Sequence, residues 1–363
     1  MSIRFDQRAA VVLSLLAAAL ALITTGCADE AAVTGVAPAP VGTASATTLP
    51  STTADFLAIG NGPIAIAHRG MGANLSEDAT RPVENTLAAV RQGFETGAAV
   101  VEVDLQMTAD NEIIAWHDDF LADGTCIGSL TRAQLAERMP DIVSFQAILQ
   151  TARRYNIANP DRLSGLLTVD LKPSSPLCDP DDAREARFVD NVVRIIRSMG
   201  ATELIYFNSM SPVLLALAAQ QAPEIPRQLT VLFLQMLSPA QVEGALGLPV
   251  TLIDKAPEYG LQWAEVGAIH RLPGYTSPQQ AIATAFATGS QLISWDLLLL
   301  GHIEQTMSGA AAQLVQGTQA LGLHVVAGDV WTASDWMFGA SLGVHALYAN
   351  DVPLAVSLQG ALH

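Results

Sequence analysis

Eight short apolar runs, each followed by a stretch of helical periodicity, set the tightest limit on what this chain can fold into. The runs occupy residues 64–68, 100–105, 166–171, 204–207, 229–234, 292–295, 324–329 and 346–349. Amphipathic segments lie between them, at 85–96, 188–199, 212–221, 278–288 and 311–321 among others. Strands that are apolar on both faces and separated by helices belong to a parallel sheet buried under helices. Eight such units predict an α/β fold of the (β/α)8 barrel type. A doubly wound open sheet is the alternative, because periodicity does not reveal whether the first and last strands meet. Half of the 363 residues are hydrophobic and only 15% are charged, so there is ample apolar surface for one large core. Two stretches break the rhythm. Residues 107–140 hold a hairpin-like strand at 112–116 and a glycine-containing loop, and residues 238–275 form an irregular excursion.

The start of the chain obeys different rules. Arg4 and Arg8 precede an apolar run at 9–23 that ends in Thr24-Thr25-Gly26-Cys27. A positive segment, a short apolar core and a small residue before a cut predict a secretory signal over 1–27. The run is short for a membrane span. Its Gly-Cys end resembles the lipobox of bacterial lipoproteins, with Thr24 where leucine is usual. That resemblance implies lipidation of Cys27 and a membrane anchor in the bacterial cell envelope, with cleavage and secretion as the alternative. Residues 28–55 are rich in Ala, Thr, Pro, Val and Ser and nearly free of aromatics. Such a segment buries too little to offset its ordering entropy, so it reads as a flexible linker before a folded domain at 56–363. Export puts Cys126 and Cys178 in an oxidising compartment, which predicts a disulfide between them, two buried free thiols being the alternative.

A formal net charge of −17 argues against nucleic acid as a partner. It leaves small phosphate esters open, since a cation and an arginine act at short range. The informative residues are polar ones that interrupt apolar strands. Glu102 and Asp104 stand two apart on the second run, among Val100, Val101, Val103 and Leu105, and so project to one face. Two buried carboxylates side by side repel unless a cation holds them, and all-oxygen ligation favours Ca²⁺ or Mg²⁺ over Zn²⁺. The competing reading is a solvated strand face, which the flanking valines oppose. Asp170 and Lys172 repeat the spacing on the third run; Lys172 and Lys255 are the only lysines in the chain. Lys172 there is placed to pair with charge or face phosphate, or else to snorkel to water from a strand end. His68-Arg69 closes the first run and His117 ends the hairpin strand, which brings two imidazoles to the carboxylates. Phosphodiester cleavage needs a base and an acid near neutral pH, and histidine serves as either.

In order and spacing, His68-Arg69-Gly70, Glu84-Asn85-Thr86, Glu102-x-Asp104 and His117-Asp118 resemble the glycerophosphodiester phosphodiesterase family. Val169-Asp170-Leu171-Lys172, Val330-Trp331-Thr332 and Gly343-Val344 through Asn350-Asp351-Val352-Pro353 carry the likeness to the far end of the chain. The resemblance implies a TIM barrel with a small insertion after the second strand. It implies metal-dependent hydrolysis of a glycerophosphodiester to glycerol phosphate and an alcohol. His68 and His117 would be the general acid and base, and Glu102, Asp104 and Asp170 would hold one divalent cation. Arg69 and Lys172 would contact the phosphate, and Glu84 would order the site. Asp170 stands where the family usually has glutamate, and Glu77, Asp78 and Arg81 mark the gap before Glu84. Related barrels imply one rival reading, a phospholipase D-like or sphingomyelinase D-like enzyme on phospholipids or lysophospholipids; a second rival, of a different class, is a non-catalytic lipoprotein barrel that binds phosphate esters or a partner protein. Trp331 reads as a pocket wall or a core residue. His270, His302, His324, His345 and His363 lack partner patterns and read as structural or surface residues.

Overall fold

The computed structural model describes residues 50–60, 62–73, 80–159, 165–175, 178–179, 183–238 and 272–361. Cys27, the signal segment, nearly all of the linker, Glu77, Asp78, Lys255, His270, His363 and most of 238–275 lie outside these residues. The strands in chain order are β1 (Ile64–Ala67), β2 (Val100–Met107), β3 (Ile113–Ala115), β4 (Val143–Ser144), β5 (Leu166–Leu171), β6 (Ile205–Ser209), β7 (Arg227–Val231), β8 (Leu292–Asp296), β9 (His324–Val330) and β10 (Ala346–Ala349). The helices are α1 (Thr53–Ala58), α2 (Leu87–Thr96), α3 (Arg132–Arg138), α4 (Phe145–Ala158), α5 (Glu185–Ser198), α6 (Pro212–Gln221), α7 (Pro278–Ala287), α8 (Leu297–Thr306), α9 (Ala310–Ala320), α10 (Ala333–Ser341) and α11 (Val352–Ala361).

Strand β1 pairs in parallel with β10, Ala67 beside Ala349, and also with β2, Ala67 beside Val101. The sheet therefore closes, and eight parallel strands form a (β/α)8 barrel; the open-sheet alternative is overturned by this pairing. Side chains alternate along each strand. Val101, Val103 and Leu105 on β2, with Leu167, Val169 and Leu171 on β5, point outward into one core with α2, α4 and α5. A second outer core joins β7, β8 and β9 to α7, α8 and α9. The helix positions 85–96 and 188–199 read from periodicity are refined to α2 and α5, and α1, α3, α4, α8, α10 and α11 add to them.

The seventh strand starts at Arg227 rather than at 229 and ends at Val231 rather than at 234. Its opening arginine is tolerated in the barrel wall because the guanidinium donates to the carbonyls of Ile225, Thr288 and Gly289. Residues Phe233–Met236 turn instead of extending, which ends the strand.

The predicted insertion follows β2. Strand β3 pairs antiparallel with β2, Gln106 beside Ile114, and β4 pairs antiparallel with β3. Ile114, Ile127, Leu130, Leu135 and Ile142 give the insertion a small core of its own. Cys126 of the insertion is disulfide-bonded to Cys178, beyond β5, with Cα atoms 5.7 Å apart.

At the other end of the barrel, α1 acts as a plug. Thr52 caps it, its hydroxyl accepting from Asp55 N–H while the Asp55 carboxylate accepts from Thr52 N–H. This fixes a short helix whose Phe56 is fully buried. The Phe56 ring stacks on Tyr206 at 5.5 Å and meets His345 edge-on at 4.7 Å. Ile64, Val100, Leu166, Leu292 and Ala346, from the first turns of their strands, surround it.

Candidate active site

The opposite mouth collects the polar residues singled out in the sequence. On β2, Val100, Glu102, Asp104 and Gln106 share the inward face, and on β5 so do Leu166, Thr168 and Asp170. The register sets Asp104 beside Asp170. One carboxylate oxygen from each of Glu102, Asp104 and Asp170 lies within 4.8 Å of the others, and all three side chains are buried. Lys172 follows Asp170 and lays its Nζ 3.3 Å from Asp170 Oδ2 and 3.4 Å from Asp104 Oδ1. Its burial rules out the snorkelling alternative.

Strand β1 delivers His68 and Arg69 to the same place. The chain turns sharply here: Arg69 has φ 49 and Gly70 φ 94. A side chain at Gly70 would collide with Ala89 of α2, a Cβ lying 2.6 Å from the Ala89 Cβ. The uncommon backbone of Arg69 is held because its N–H donates to Glu102 Oε2 at 2.6 Å. Its Nη1 donates to Glu84 Oε1 at 3.0 Å, and its Nε lies 3.6 Å from Asp104 Oδ2. Asn85, also left-handed with φ 58, donates its Nδ2 to Asp104 Oδ2 at 2.8 Å and accepts the Asp104 N–H at 2.9 Å. Asp104 is thereby locked in place from both its side chain and its backbone.

His117 sits just past β3. Its Nδ1 is 2.7 Å from Asp118 Oδ1, so Nδ1–H donates a hydrogen bond to the acceptor-only carboxylate and Nε2 is left for chemistry. Gln106 organises the turn: its Nε2 donates to the carbonyls of Trp116, His117 and Asp118, at 3.3, 3.1 and 2.7 Å. His68 stands 3.9 Å from Glu102 Oε2 and 3.7 Å from Asp329 Oδ1, with Tyr348 edge-on at 6.0 Å.

Electrostatics define the chemistry of the cluster. Burial raises Glu102, with Asp104 and Asp170 adding repulsion, well above the usual carboxylate range. Burial also raises Asp170, against the pull of Lys172. Asp104 goes the other way: burial would raise it, but Lys172, His117, Arg69 and the Asn85 amide hold it well below that range. Burial depresses His117, and Lys172 and Arg69 add to the effect. Asp170 Oδ1 is buried without a hydrogen-bond partner. Carboxylates outnumber the cations Arg69 and Lys172 that pair with them, once Glu84 is included. A buried orphan oxygen in an over-charged, all-oxygen cradle fits a divalent cation.

His68, Arg69, Glu84, Glu102, Asp104, His117, Asp170 and Lys172 thus meet at one mouth. Asn85, Gln106, Asn350 and Asp118 were given no role from sequence, yet each fixes a neighbour. Gln106 carried a readable signal, since it continues the alternation of Glu102 and Asp104. Asn350 did not, because its neighbour lies at the other end of the chain. Trp331 is 41% exposed on the rim, not in the core. Arg81 reaches the same rim and pairs with Asp351 at 3.4 Å.

Residues 68–353 match the family model described as the glycerophosphoryl diester phosphodiesterase family. Among curated relatives, glycerophosphodiester phosphodiesterase 1 of Bos taurus is 52% identical over 64 residues, and that of Homo sapiens 47% over 64. Each match spans 17% of this chain and 17% of the relative's own length. Among solved structures, a glycerophosphodiester phosphodiesterase from Parabacteroides distasonis aligns with TM-score 0.56 at 15% identity, covering 83% of this chain and 98% of that one. A phosphodiesterase from Oleispira antarctica, in complex with the product sn-glycerol-3-phosphate, aligns with TM-score 0.55 at 19% identity, over 81% of this chain and 96% of that one. At these identities the structures share the fold.

Proposed function

From the premise that the chain belongs to the glycerophosphoryl diester phosphodiesterase family, we propose that it hydrolyses glycerophosphodiesters to glycerol phosphate and an alcohol. The carrying observation is the buried Glu102–Asp104–Asp170 cradle, with its orphan oxygen, flanked by two oriented imidazoles. The product complex of the Oleispira relative supports glycerol phosphate as the product.

Glu102, Asp104 and Asp170 would hold the cation, which we take to be Ca²⁺ or Mg²⁺ from the oxygen-only donor set. When bound, a divalent cation supplies charge neutralisation at the phosphoryl oxygens. The remaining work falls to the chain's own groups. Arg69 and Lys172 present fixed positive charge to the diester, and Glu84 holds the Arg69 guanidinium in place. His117, kept neutral by burial and by neighbouring cations, is suited to accept a proton at Nε2, with Asp118 stabilising the imidazolium that results. His68 sits at the other flank of the cluster and serves the second proton transfer. Such an acid–base pair contributes on the order of 10²–10⁴-fold per group.

The proposal extends to location. The N-terminal sequence supports an exported protein, lipid-anchored at Cys27 in the bacterial envelope or secreted, and the Cys126–Cys178 bond suits an oxidising compartment. The test is a substrate panel on protein stripped with EDTA, then supplied with Ca²⁺, Mg²⁺ or Mn²⁺. Glycerophosphocholine should be cleaved only after a cation is restored. Turnover of lysophospholipid instead would favour a phospholipase D-like enzyme, and binding without turnover under every cation would sink the hydrolase.

A further inference from the structure

Asn350, one residue beyond β10, is buried to 1% exposure. The register of β10 against β1 brings it beside His68, whose N–H donates to the Ala349 carbonyl. Its side-chain Oδ1 accepts the backbone N–H of Ala73 at 2.9 Å. A backbone N–H can only donate, so the atom facing it is the amide oxygen and not the nitrogen. The same Oδ1 lies 2.8 Å from His68 Nδ1. Two acceptors cannot share a hydrogen bond without a proton, so Nδ1 carries it. The other side of the ring agrees: Arg69 Nε–H points at His68 Nε2 at 3.4 Å, where a lone pair must receive it.

Asn350 is itself anchored from several directions. Its N–H donates to the Val330 carbonyl at 2.8 Å, and its carbonyl accepts from the Arg81 guanidinium. Gly72, at φ 104, lets the loop after β1 close onto it, since a Cβ there would lie 2.1 Å from the Asn350 carbonyl oxygen. Asp329 Oδ1 is 3.7 Å from Nδ1, beyond hydrogen-bonding reach.

We propose that Asn350 is a positioning residue that holds His68 in the Nδ1–H tautomer and so keeps the lone pair on Nε2, the nitrogen that faces Arg69 Nε–H and lies 3.9 Å from Glu102 Oε2. This rests on the reading of His68 as a proton-transfer group, and it gives the two histidines different supports. His117 leans on the carboxylate of Asp118, which stabilises its charged form, whereas a neutral amide sets the tautomer of His68 without adding negative charge.

Asn350→Ala should lower kcat on glycerophosphocholine on the order of 10²–10³-fold with KM changed by less than about two-fold. Asn350→Asp, which keeps an acceptor at the δ1 position, should recover most of that loss. An unchanged kcat in Asn350→Ala, or a loss confined to KM, overturns the proposal. Should the alanine variant not fold, ¹⁵N NMR of histidine-labelled wild-type protein decides, at a pH where the ring is neutral and with His68 assigned by its disappearance in His68→Gln. Protonated Nδ1 is expected, and protonated Nε2 overturns the proposal. Full turnover in His68→Ala would instead defeat the role of His68 while leaving the tautomer measurement to judge Asn350 separately.

Discussion

The two mouths of this barrel are built from the same strands and have opposite characters. At the N-terminal mouth Phe56, Tyr206, Ile64, Val100 and Leu166 make a dry plug. At the C-terminal mouth the inward face of β2 presents Glu102 and Asp104, and that of β5 presents Asp170. Between them lies a neutral polar layer, in which Gln228 donates to Asn208 Oδ1 at 3.0 Å and to the Tyr348 hydroxyl at 2.8 Å. Polarity therefore rises along the barrel axis within single strands, over a few residues of about 3.3 Å each. The apolar end gains free energy from burial, while the charged end spends it on desolvating carboxylates. Stability and activity should thus separate by mouth.

The largest expected effect lies at the charged mouth. His68→Ala and His117→Ala should each cut kcat by about 10³-fold, or roughly 4 kcal/mol of barrier, with Tm shifted by no more than about 2 °C. Steady-state kinetics beside a thermal melt checks this, and near-normal turnover in either variant removes that imidazole from the mechanism. The plug should behave in reverse. Phe56→Ala empties a fully buried aromatic site and should cost about 3–5 kcal/mol, lowering Tm on the order of 10 °C. Its kcat measured well below the melt should match the wild type; a lost kcat with unchanged Tm would show that the two mouths are coupled.

The smallest effect concerns pH at the plug. Burial pushes His345 down to about 4 from 6.5, with the His324 ring 4.8 Å away adding repulsion. Its folded value is depressed, so the neutral ring is tolerated in full above pH 6.5. As pH falls from 6.5 towards 4, the unfolded chain binds a proton that the folded one refuses, and stability drops by up to about 3 kcal/mol. Denaturant melts across that window should show the loss, and His345→Phe should flatten it. An unchanged acid limb in that variant would assign the loss to other groups.

Much of this was legible along the chain. Alternation placed Glu102 and Asp104 on one face before any fold was known, because a strand's period is a local property. The same rule would have reached Gln106. The plug was harder to read, since Phe56 follows a low-complexity segment and a six-residue helix leaves little periodicity. Arg69 carries left-handed backbone that nothing in its side chain announces, whereas at Asn85 the tolerance of asparagine for that region is a local hint.

Sequence alone determined the class of fold, the pairing of carboxylates along β2, and which polar residues were candidates for the site. These follow from local periodicity and from the cost of burying charge, which hold wherever the segment ends up. Tertiary structure decided that the sheet closes, that Asp170 stands beside Asp104, and that Asn350 meets His68 across 282 positions of chain. Those are matters of strand register between distant segments, and register is set by the packing of the whole barrel at once.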